Sequence, residues 1–235
     1  MPGRLYLLPA WLADKSNPAD VLPAPVLARI RTLDAFVVED AKSARRFLAA
    51  CGHPKPMREV AMAELNEHTP GAAVAELLAP ALAGRDLGLL SEAGVPAVAD
   101  PGAALVAQAH ARGVAVVPCV GPSSILLALM ASGLEGQRFR FAGYLPADAA
   151  SRRAAIAELE RRSARDAETQ VFIETPYRND ALLADLLTGC RPTTRLAVAA
   201  DLTGSTEWIR SATIERWRLE AQPIGKRPAI FLLQA

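Results

Sequence analysis

The sequence predicts an α/β protein, with a parallel-sheet α/β domain in its first half and a mixed-sheet α/β domain in its second. Short apolar, β-branched runs alternate with longer alanine-rich segments up to about residue 118. Strands that are buried on both faces and connected by helices are the usual source of this alternation. Further along, the apolar runs lie closer together, which favours antiparallel pairing. We therefore predict two domains, 1–119 and 120–235.

Five strand-like runs in the first half indicate the parallel sheet. In chain order they read RLYLL, AFVVE, REVAM, DLGLL and VAVVP. The segments between them are predicted to be helical: ADVLPAPVLARIRTL, AKSARRFLAACG, GAAVAELLAPALAG and GAALVAQAHARG. Gly52, Gly84 and Gly113 each follow a helical segment, where a left-handed residue commonly ends the helix.

The second half contains the strand-like runs RFRFAGYL, TQVFIET, TRLAVAADL and RPAIFLL. Between the first two lies a charged segment, DAASRRAAIAELERRSARDAE, which is predicted to be a helix. Its arginines are interleaved with acidic residues, a pattern typical of a salt-bridged, solvent-exposed face. Trp208 and Trp217 are candidates either for the core or for an interface.

Composition excludes few function classes, but it indicates the cellular compartment. The formal net charge is only +1, so overall charge does not indicate a nucleic-acid ligand. The three cysteines are scattered and lack the spacing of a disulfide framework or a zinc site, and no metal is expected. No apolar run approaches the length of a membrane span, and the first residues do not resemble a cleavable leader. We expect a cytoplasmic protein.

Several common active-site motifs are missing. The first strand-to-helix turn, LLPAWLAD, lacks the glycines of a dinucleotide-binding fingerprint. The Gly225–Lys226 pair lacks the earlier glycine of a phosphate loop. With three histidines in the chain, a histidine-centred site has few candidates.

The most informative loop is SEAGVPAVADPG, residues 91–102, which follows the fourth strand. Ligands of open parallel sheets bind at the carboxyl ends of the strands, where this loop begins. Glycine permits close backbone approach, and Pro96 and Pro101 restrict the loop. Asp100 and Pro101 also suit the N-cap and first position of a helix. In the next loop, VGPSS, the serines suit either a helix cap or a ligand contact.

These segments together resemble the tetrapyrrole methylase superfamily of S-adenosylmethionine-dependent methyltransferases. The similar branch methylates a cytidine ribose of small-subunit ribosomal RNA and carries DAGTPxxSDPG, PGxSAxxxALxxSG, FxGFLP and FYESPHR. This chain has SEAGVPAVADPG, VGPSSILLALMASGL, FAGYLP and FIETPYR in the same order. The resemblance covers nearly the whole chain. It implies an S-adenosylmethionine cofactor in a cleft between two α/β domains, and a homodimer.

By motif match, the resemblance also implies the residues that bind the cofactor. They are Pro9, Glu92, Ala93, Gly94, Val95, Ala97, Val98, Ser123, Ser124, Glu174, Thr175, Pro228 and Ala229. Backbone groups of these loops would suit the adenine and carboxylate ends of the donor. Glu174 has a second interpretation, as a cap on the helix that follows it.

A ribose hydroxyl needs a base if it is to accept a methyl group. Glu39, Asp40, Asn66 and Glu67 are the candidates, because VVEDAKSARRFL and LNEH match a Glu–Asp pair and an Asn–Glu pair of the branch. Solvated surface acids are the alternative interpretation of each.

The chain departs from the branch at RELTK, where it has ADLTG: Ala200, Asp201, Leu202, Thr203 and Gly204. Both basic residues, natural phosphate contacts, are missing. The sequence therefore supports the methyl donor more strongly than the RNA acceptor. A small-molecule acceptor such as a tetrapyrrole, and a non-catalytic cofactor-binding or RNA-associated module, stay open as alternatives.

Overall fold

A computed structural model describes residues 1–13, 16–66, 68–220 and 222–235. Its chain forms two compact units, an N-terminal unit, Met1–Ser123, and a C-terminal unit, Ser124–Ala235. The predicted domain boundary, between residues 119 and 120, lies a few residues before the point where these units divide. Each unit has its own sheet and its own hydrophobic core.

The sheet of the N-terminal unit is parallel throughout, in the order β3-β2-β4-β1-β5. Its strands are β1 (Arg4–Leu8), β2 (Ala35–Val38), β3 (Ala61–Glu64), β4 (Leu87–Leu90) and β5 (Ala115–Pro118). This confirms the predicted parallel sheet, with β3 beginning three residues later than the run REVAM. Because all five strands point the same way, their carboxyl ends share one edge.

Helices cover both faces of this sheet, as the fully apolar strands β2 and β4 require. On one face lie α1 (Ala24–Thr32) and α2 (Ala41–Ala50), which bury Ile30 and Phe47 against the sheet. On the other lie α3 (Gly71–Val74), α4 (Ala79–Leu82) and α5 (Gly102–Ala111). The chain turns after the predicted helix ends with positive φ at Gly52, Gly84 and Gly113, as predicted.

Two predicted helices are shorter than their sequence pattern indicates. Pro23 and Pro25 delay the start of α1 to Ala24, and residues 18–20 form a separate 3-10 turn. Between α3 and α4 the chain tightens into a 3-10 turn over Ala75–Leu78, just before Pro80. Proline has no N–H to donate one turn back, so an uninterrupted α-helix cannot run through it.

The C-terminal unit contains a mixed sheet in the order β6-β7-β10-β8-β9. Its strands are β6 (Phe139–Tyr144), β7 (Thr169–Glu174), β8 (Arg195–Ala200), β9 (Trp208–Thr213) and β10 (Ala229–Gln234). Only β6 and β7 pair in parallel, and the other neighbours are antiparallel. The predicted mixed-sheet α/β fold is confirmed.

Helices α7 (Ala149–Asp166), α8 (Asn179–Gly189) and α9 (Ile214–Leu219) bury their apolar residues with the strands of this sheet, and α6 (Ser124–Ser132) also contacts β10, β8 and β9. Trp217 lies fully in the core and donates its indole N–H to the Leu196 carbonyl at 2.8 Å. Trp208 packs edge-on against it, half-buried. Both tryptophans therefore serve the core.

The prediction of a fully solvent-exposed charged face on α7 is wrong at Arg152. Its guanidinium is buried and bonds the buried Asp185 carboxylate at 2.6 Å, with Arg153 on the other carboxylate oxygen at 2.8 Å. Arg161 and Arg165 do form exposed ion pairs, with Glu158 and Asp166. Asp185 lies on α8, so the sequence pattern of α7 alone could not predict this pairing.

Among the described helices, none combines the length and the apolar character that crossing a bilayer would need.

Candidate active site

Three loops of the N-terminal unit converge at the carboxyl edge of its parallel sheet. After β1, the Ala10 N–H donates to the carbonyl of Gly94, in the loop after β4, at 2.9 Å. After β5, Gly121 packs against Pro9 so closely that a Cβ on Gly121 would lie 2.4 Å from the proline Cβ. The loops that contain the predicted residues Pro9 and Gly94 are therefore in direct contact.

The loop after β4 has an unusual backbone. Gly94, Ala97 and Ala99 have φ values of +72°, +66° and +60°. Glycine tolerates this conformation, whereas each alanine in it costs about 1–3 kcal/mol. Such strain persists only where the surrounding structure imposes it, and it is concentrated at functional sites.

The Asp100 carboxylate holds this backbone in place. It accepts the Ala97 N–H on both oxygens at 2.9 Å and the Gly102 N–H at 2.7 Å. Hydrogen bonds to charged groups contribute about 1.5–3 kcal/mol each, enough to offset the strain of the two alanines. The prediction of Asp100 as the N-cap and Pro101 as the first helical residue is wrong by one position, because Pro101 is the N-cap of α5. Asp100, one residue earlier, binds the N–H of Gly102, and its bond to Ala97 closes the loop.

Glu39, directly after β2, links the second strand end to the same loop. Its Oε2 accepts the Glu92 N–H at 3.0 Å, and the Glu92 carboxylate in turn accepts the Ser43 hydroxyl at 3.1 Å. Burial raises the pKa of the half-buried Glu39 carboxyl, and the negative charges of Asp100, Glu92 and Asp40 raise it further. Glu39 and Asp100 line one small pocket with Leu65 and Ser91.

The other three candidate bases differ from Glu39. Asp40 is the N-cap of α2, where it accepts the Ser43 N–H at 2.7 Å, and that hydrogen bond lowers its pKa. The side-chain amide oxygen of Asn66, Oδ1, accepts the His68 N–H at 3.0 Å in a local turn. Glu67 lies outside the described residues. Glu39 is thus the described candidate whose surroundings favour the proton-accepting role.

The predicted cofactor residues of the N-terminal unit differ in exposure. Pro9 and Gly94 are buried, Val95, Ala97 and Ser123 are half-buried, and Glu92, Ala93 and Val98 are exposed. A loop whose backbone is anchored while its outer atoms face solvent is suited to bind a ligand through its amide and carbonyl groups. Ser124, half-buried, begins α6 in the C-terminal unit.

The four other predicted residues meet at one end of the mixed sheet. Glu174 ends β7 and pairs with Ala229, which begins β10, so Thr175 and Pro228 flank the same register position. The buried Glu174 Oε1 accepts the Thr175 N–H and the Arg178 guanidinium, each at 2.6 Å. Glu174 Oε2, also buried, has no hydrogen-bond partner among the described residues.

Of the two interpretations of Glu174, the structure does not support the helix cap. Its first oxygen accepts the N–H of Thr175, which is the N-cap of the 3-10 turn Pro176–Arg178, and pairs with Arg178, but no side chain caps that turn. Its second oxygen is a buried acceptor without a donor, and such an atom costs free energy unless a ligand or water supplies one. A ribose hydroxyl is a donor of the kind that this oxygen lacks.

The residues that replace RELTK form a closed loop after β8. Asp201 and Thr203 have positive φ values of +50° and +67°. The Asp201 carboxylate accepts from Thr206 at 2.8 Å and from the Arg227 guanidinium at 2.7 Å. Asp201 therefore pairs with Arg227, which lies two residues before β10, at the position where the branch has its own basic residues.

Sequence reasoning missed Ser43, Ala10 and Gly121. None carries a local signal of function, because each acts through a partner at least 49 positions away: Glu92, Gly94 and Pro9. A glycine after the fifth strand was the nearest available hint, and it pointed to the loop rather than to the contact.

Comparison with known proteins identifies the family of this chain. The sequence profile of the family described as Tetrapyrrole (Corrin/Porphyrin) Methylases matches residues 19–217, which is most of the chain. The chain belongs to the tetrapyrrole methylase family. As a member, it is a methyltransferase that uses S-adenosylmethionine.

Two relatives of this tetrapyrrole methylase are both named Ribosomal RNA small subunit methyltransferase I. The one from Xylella fastidiosa is 33% identical over 91% of the chain and 73% of its own length. The one from Vibrio cholerae is 31% identical over 97% of the chain and 76% of its own length.

Solved structures of tetrapyrrole methylases share the fold. The methyltransferase CobJ matches with a TM-score of 0.64 at 18% identity, over 99% of this chain and 94% of that one. A uroporphyrin-III C-methyltransferase from Thermus thermophilus, complexed with S-adenosyl homocysteine, matches with a TM-score of 0.55 at 20% identity, over 99% and 97%. At these identities the likeness concerns the fold.

Gly121→Ala tests the convergence of the loops after β1 and β5. The added methyl overlaps Pro9, so we expect the free energy of unfolding to fall by about 1–3 kcal/mol in urea denaturation. Gly71→Ala, where the new Cβ has no atom within 4 Å, is the matched control and should be neutral or stabilising by up to about 1 kcal/mol. Equal stability of the two variants would contradict the close contact.

Glu39→Gln and Asp40→Asn should show opposite pH dependence. The pKa of Glu39 is raised by folding, so its carboxylate destabilises the fold as the pH rises through that pKa, and Glu39→Gln should become relatively more stable toward about pH 7. The pKa of Asp40 is lowered, so its carboxylate stabilises the fold above the unfolded pKa, and Asp40→Asn should cost most near pH 7 and least in acid. Urea denaturation from about pH 7 to about pH 3.5 measures both, and parallel pH curves for the two variants would refute the assignment.

Proposed function

We propose that this tetrapyrrole methylase transfers a methyl group from S-adenosylmethionine to RNA of the small ribosomal subunit, at a ribose 2'-hydroxyl. The observation that carries the proposal is the similarity, at 31–33% identity over nine-tenths of the chain or more, to relatives named for that RNA. The likeness to the tetrapyrrole enzymes of known structure is weaker in sequence, at 18–20% identity. RNA is therefore the better supported acceptor.

The donor is held chiefly by backbone groups of the loop after β4. Anchored by Asp100 and by the Ala10–Gly94 hydrogen bond, this loop has little freedom to lose when a ligand binds. The residues proposed to contact the donor there are Pro9, Glu92, Ala93, Gly94, Val95, Ala97, Val98 and Ser123. From the C-terminal unit we propose Ser124, Glu174, Thr175, Pro228 and Ala229, with the unpartnered Glu174 Oε2 accepting from a hydroxyl.

When bound, S-adenosylmethionine supplies an electrophilic methyl group on a positively charged sulfur. The work of the protein is to orient the acceptor and to remove its proton. We assign proton removal to Glu39. A carboxylate whose pKa is raised by burial is a stronger base than an ordinary one. Glu39 would take the proton that the acceptor hydroxyl gives up, while the bound donor would supply the methyl group.

Asp40, Asn66 and Glu67 keep supporting roles in this proposal. Asp40 fixes the start of α2 and so the position of Ser43, which binds the Glu92 carboxylate. Asn66 lies two residues after β3, and its amide suits orientation of a substrate rather than proton removal. We further propose that the enzyme is a homodimer and acts in the cytoplasm, where ribosomal RNA is found.

Two assays test the proposal. Calorimetry should show binding of S-adenosylmethionine, and radiolabelled methyl groups should reach the RNA of small ribosomal subunits from a strain lacking this enzyme. Label on a tetrapyrrole precursor instead would transfer the function to the small-molecule alternative. Cofactor binding without label on any acceptor would favour the non-catalytic alternative.

Glu39→Gln should lower kcat by about a hundredfold or more, because the proton acceptor is lost. Its amide oxygen can still accept the Glu92 N–H, so the affinity for S-adenosylmethionine should change little. Glu64→Gln is the matched control, since Glu64 ends the neighbouring strand and its carboxylate accepts the Ala41 N–H. Comparable losses of kcat in both variants, or wild-type kcat in Glu39→Gln, would remove Glu39 from the role of base.

A further inference from the structure

One exposed aromatic side chain stands beside the predicted cofactor residues of the C-terminal unit. Tyr177 is 79% exposed, in the 3-10 turn three residues after Glu174. Tyrosine is enriched at interfaces, because its ring is apolar while its hydroxyl can hydrogen-bond. Exposure alone does not make Tyr177 a contact residue, and the cation over its ring is the second observation.

Lys226 covers one face of this ring. Its ammonium lies 5.0 Å from the ring centroid, in cation–π distance. Lys226 is exposed, and no carboxylate of the described residues pairs with it. The neighbouring cations differ, because Arg178 pairs with Glu174 and Arg227 pairs with Asp201. Among the described cations of this part of the unit, Lys226 is the one that pairs with no carboxylate of the described residues and is available to an anionic ligand.

The backbone that carries Lys226 is fixed on both sides. The buried Asn179 donates to the Gly225 and Arg227 carbonyls at 3.0 and 2.7 Å. The Asp180 carboxylate accepts the Ile224 and Gly225 N–H groups at 2.7 and 3.1 Å. Asn179 and Asp180 directly follow the turn that contains Tyr177, so one short segment positions both members of the pair.

An exposed aromatic ring with a cation on one face suits a single-stranded nucleotide. A base stacks on an aromatic face regardless of its sequence, and a lysine ammonium pairs with the adjoining phosphate. A protein partner would more often require an apolar surround, whereas this ring has the charged Lys226 over one face and is followed in the chain by the charged Arg178. The chemistry favours RNA over a protein.

We propose that Tyr177 and Lys226 form an RNA-contact pair, in which the open face of the tyrosine ring stacks on a base of the substrate RNA and Lys226 binds a phosphate. This inference rests on the proposed function. The pair takes the place of the basic contacts that the chain lacks after β8. Its two members come from two other loops. It also places the contacted base beside Thr175 and Pro228, which are proposed to hold the donor.

The test compares RNA affinity in Tyr177→Ala, Tyr177→Phe and Lys226→Ala, with small-subunit ribosomal RNA as the probe at several salt concentrations. Tyr177→Ala should weaken binding roughly tenfold to a hundredfold without changing the salt dependence, and Tyr177→Phe should retain most of the affinity. Lys226→Ala should reduce the slope of log affinity against log salt by about 0.7–0.9, the contribution of one phosphate contact. Calorimetry should show unchanged affinity for S-adenosylmethionine in all three.

Two matched controls separate this contact from a general loss of charge or aromatic area. Phe139→Ala removes a partly exposed ring at the first residue of β6. Lys55→Ala removes a lysine that pairs with Asp34. Both should bind RNA as the wild type does. If Tyr177→Ala and Lys226→Ala also match the wild type, the contact pair is refuted while the proposed function stands. If the wild type itself binds the cofactor but no ribosomal RNA, the RNA part of the proposed function and the contact pair fail together.

Discussion

The parallel pairing of β1 with β4 is the constraint on which the candidate site of the N-terminal unit depends. Leu8 and Leu90 lie in register at the ends of these central strands, so the two following loops begin side by side. A single further hydrogen bond, from Ala10 to Gly94, then joins them. β5 pairs with the other side of β1 and brings Gly121 against Pro9. The sheet thus determines which loops meet before any side chain is considered.

Acidic residues at this edge have different roles because their surroundings differ. Asp40 and Asp100 both accept backbone N–H groups at helix starts, and Asp100 also restrains two alanines in the left-handed region. Glu39 accepts one such bond but faces burial and three neighbouring carboxylates. Divergent environments for neighbouring carboxyl groups are a common way to divide structural from proton-transfer roles.

Three arginines of the C-terminal unit are paired with acids of its fold rather than left free on its surface. Arg152 is paired in the core with Asp185, and Arg178 and Arg227 are paired with acids at strand ends. A buried arginine left without its acid would be strongly destabilising, so these pairs act as fixed parts of the scaffold. In the proposed RNA-contact pair, recognition of an anionic substrate depends on few residues, and it uses aromatic stacking as well as charge.

Local patterns in the sequence were sufficient to predict both sheets, the helix-ending glycines and the importance of the loop SEAGVPAVADPG. These features follow from periodicity, burial and the backbone preferences of glycine and proline, which act over a few residues. The motif resemblance added the family. It also named Pro9 and Gly94, whose loops the structure joins, and Glu174 with Ala229, which it pairs.

Only the tertiary structure decided how individual side chains are used. It separated Glu39 from Asp40, buried Arg152, placed Gly121 on Pro9 and set Lys226 over Tyr177. Each outcome depends on a partner from another segment: desolvation, a like charge, a backbone carbonyl or a ring brought near by the fold. Sequence determined the elements because their causes are local, and structure determined the chemistry because pKa, pairing and exposure are set by neighbours that are distant along the chain.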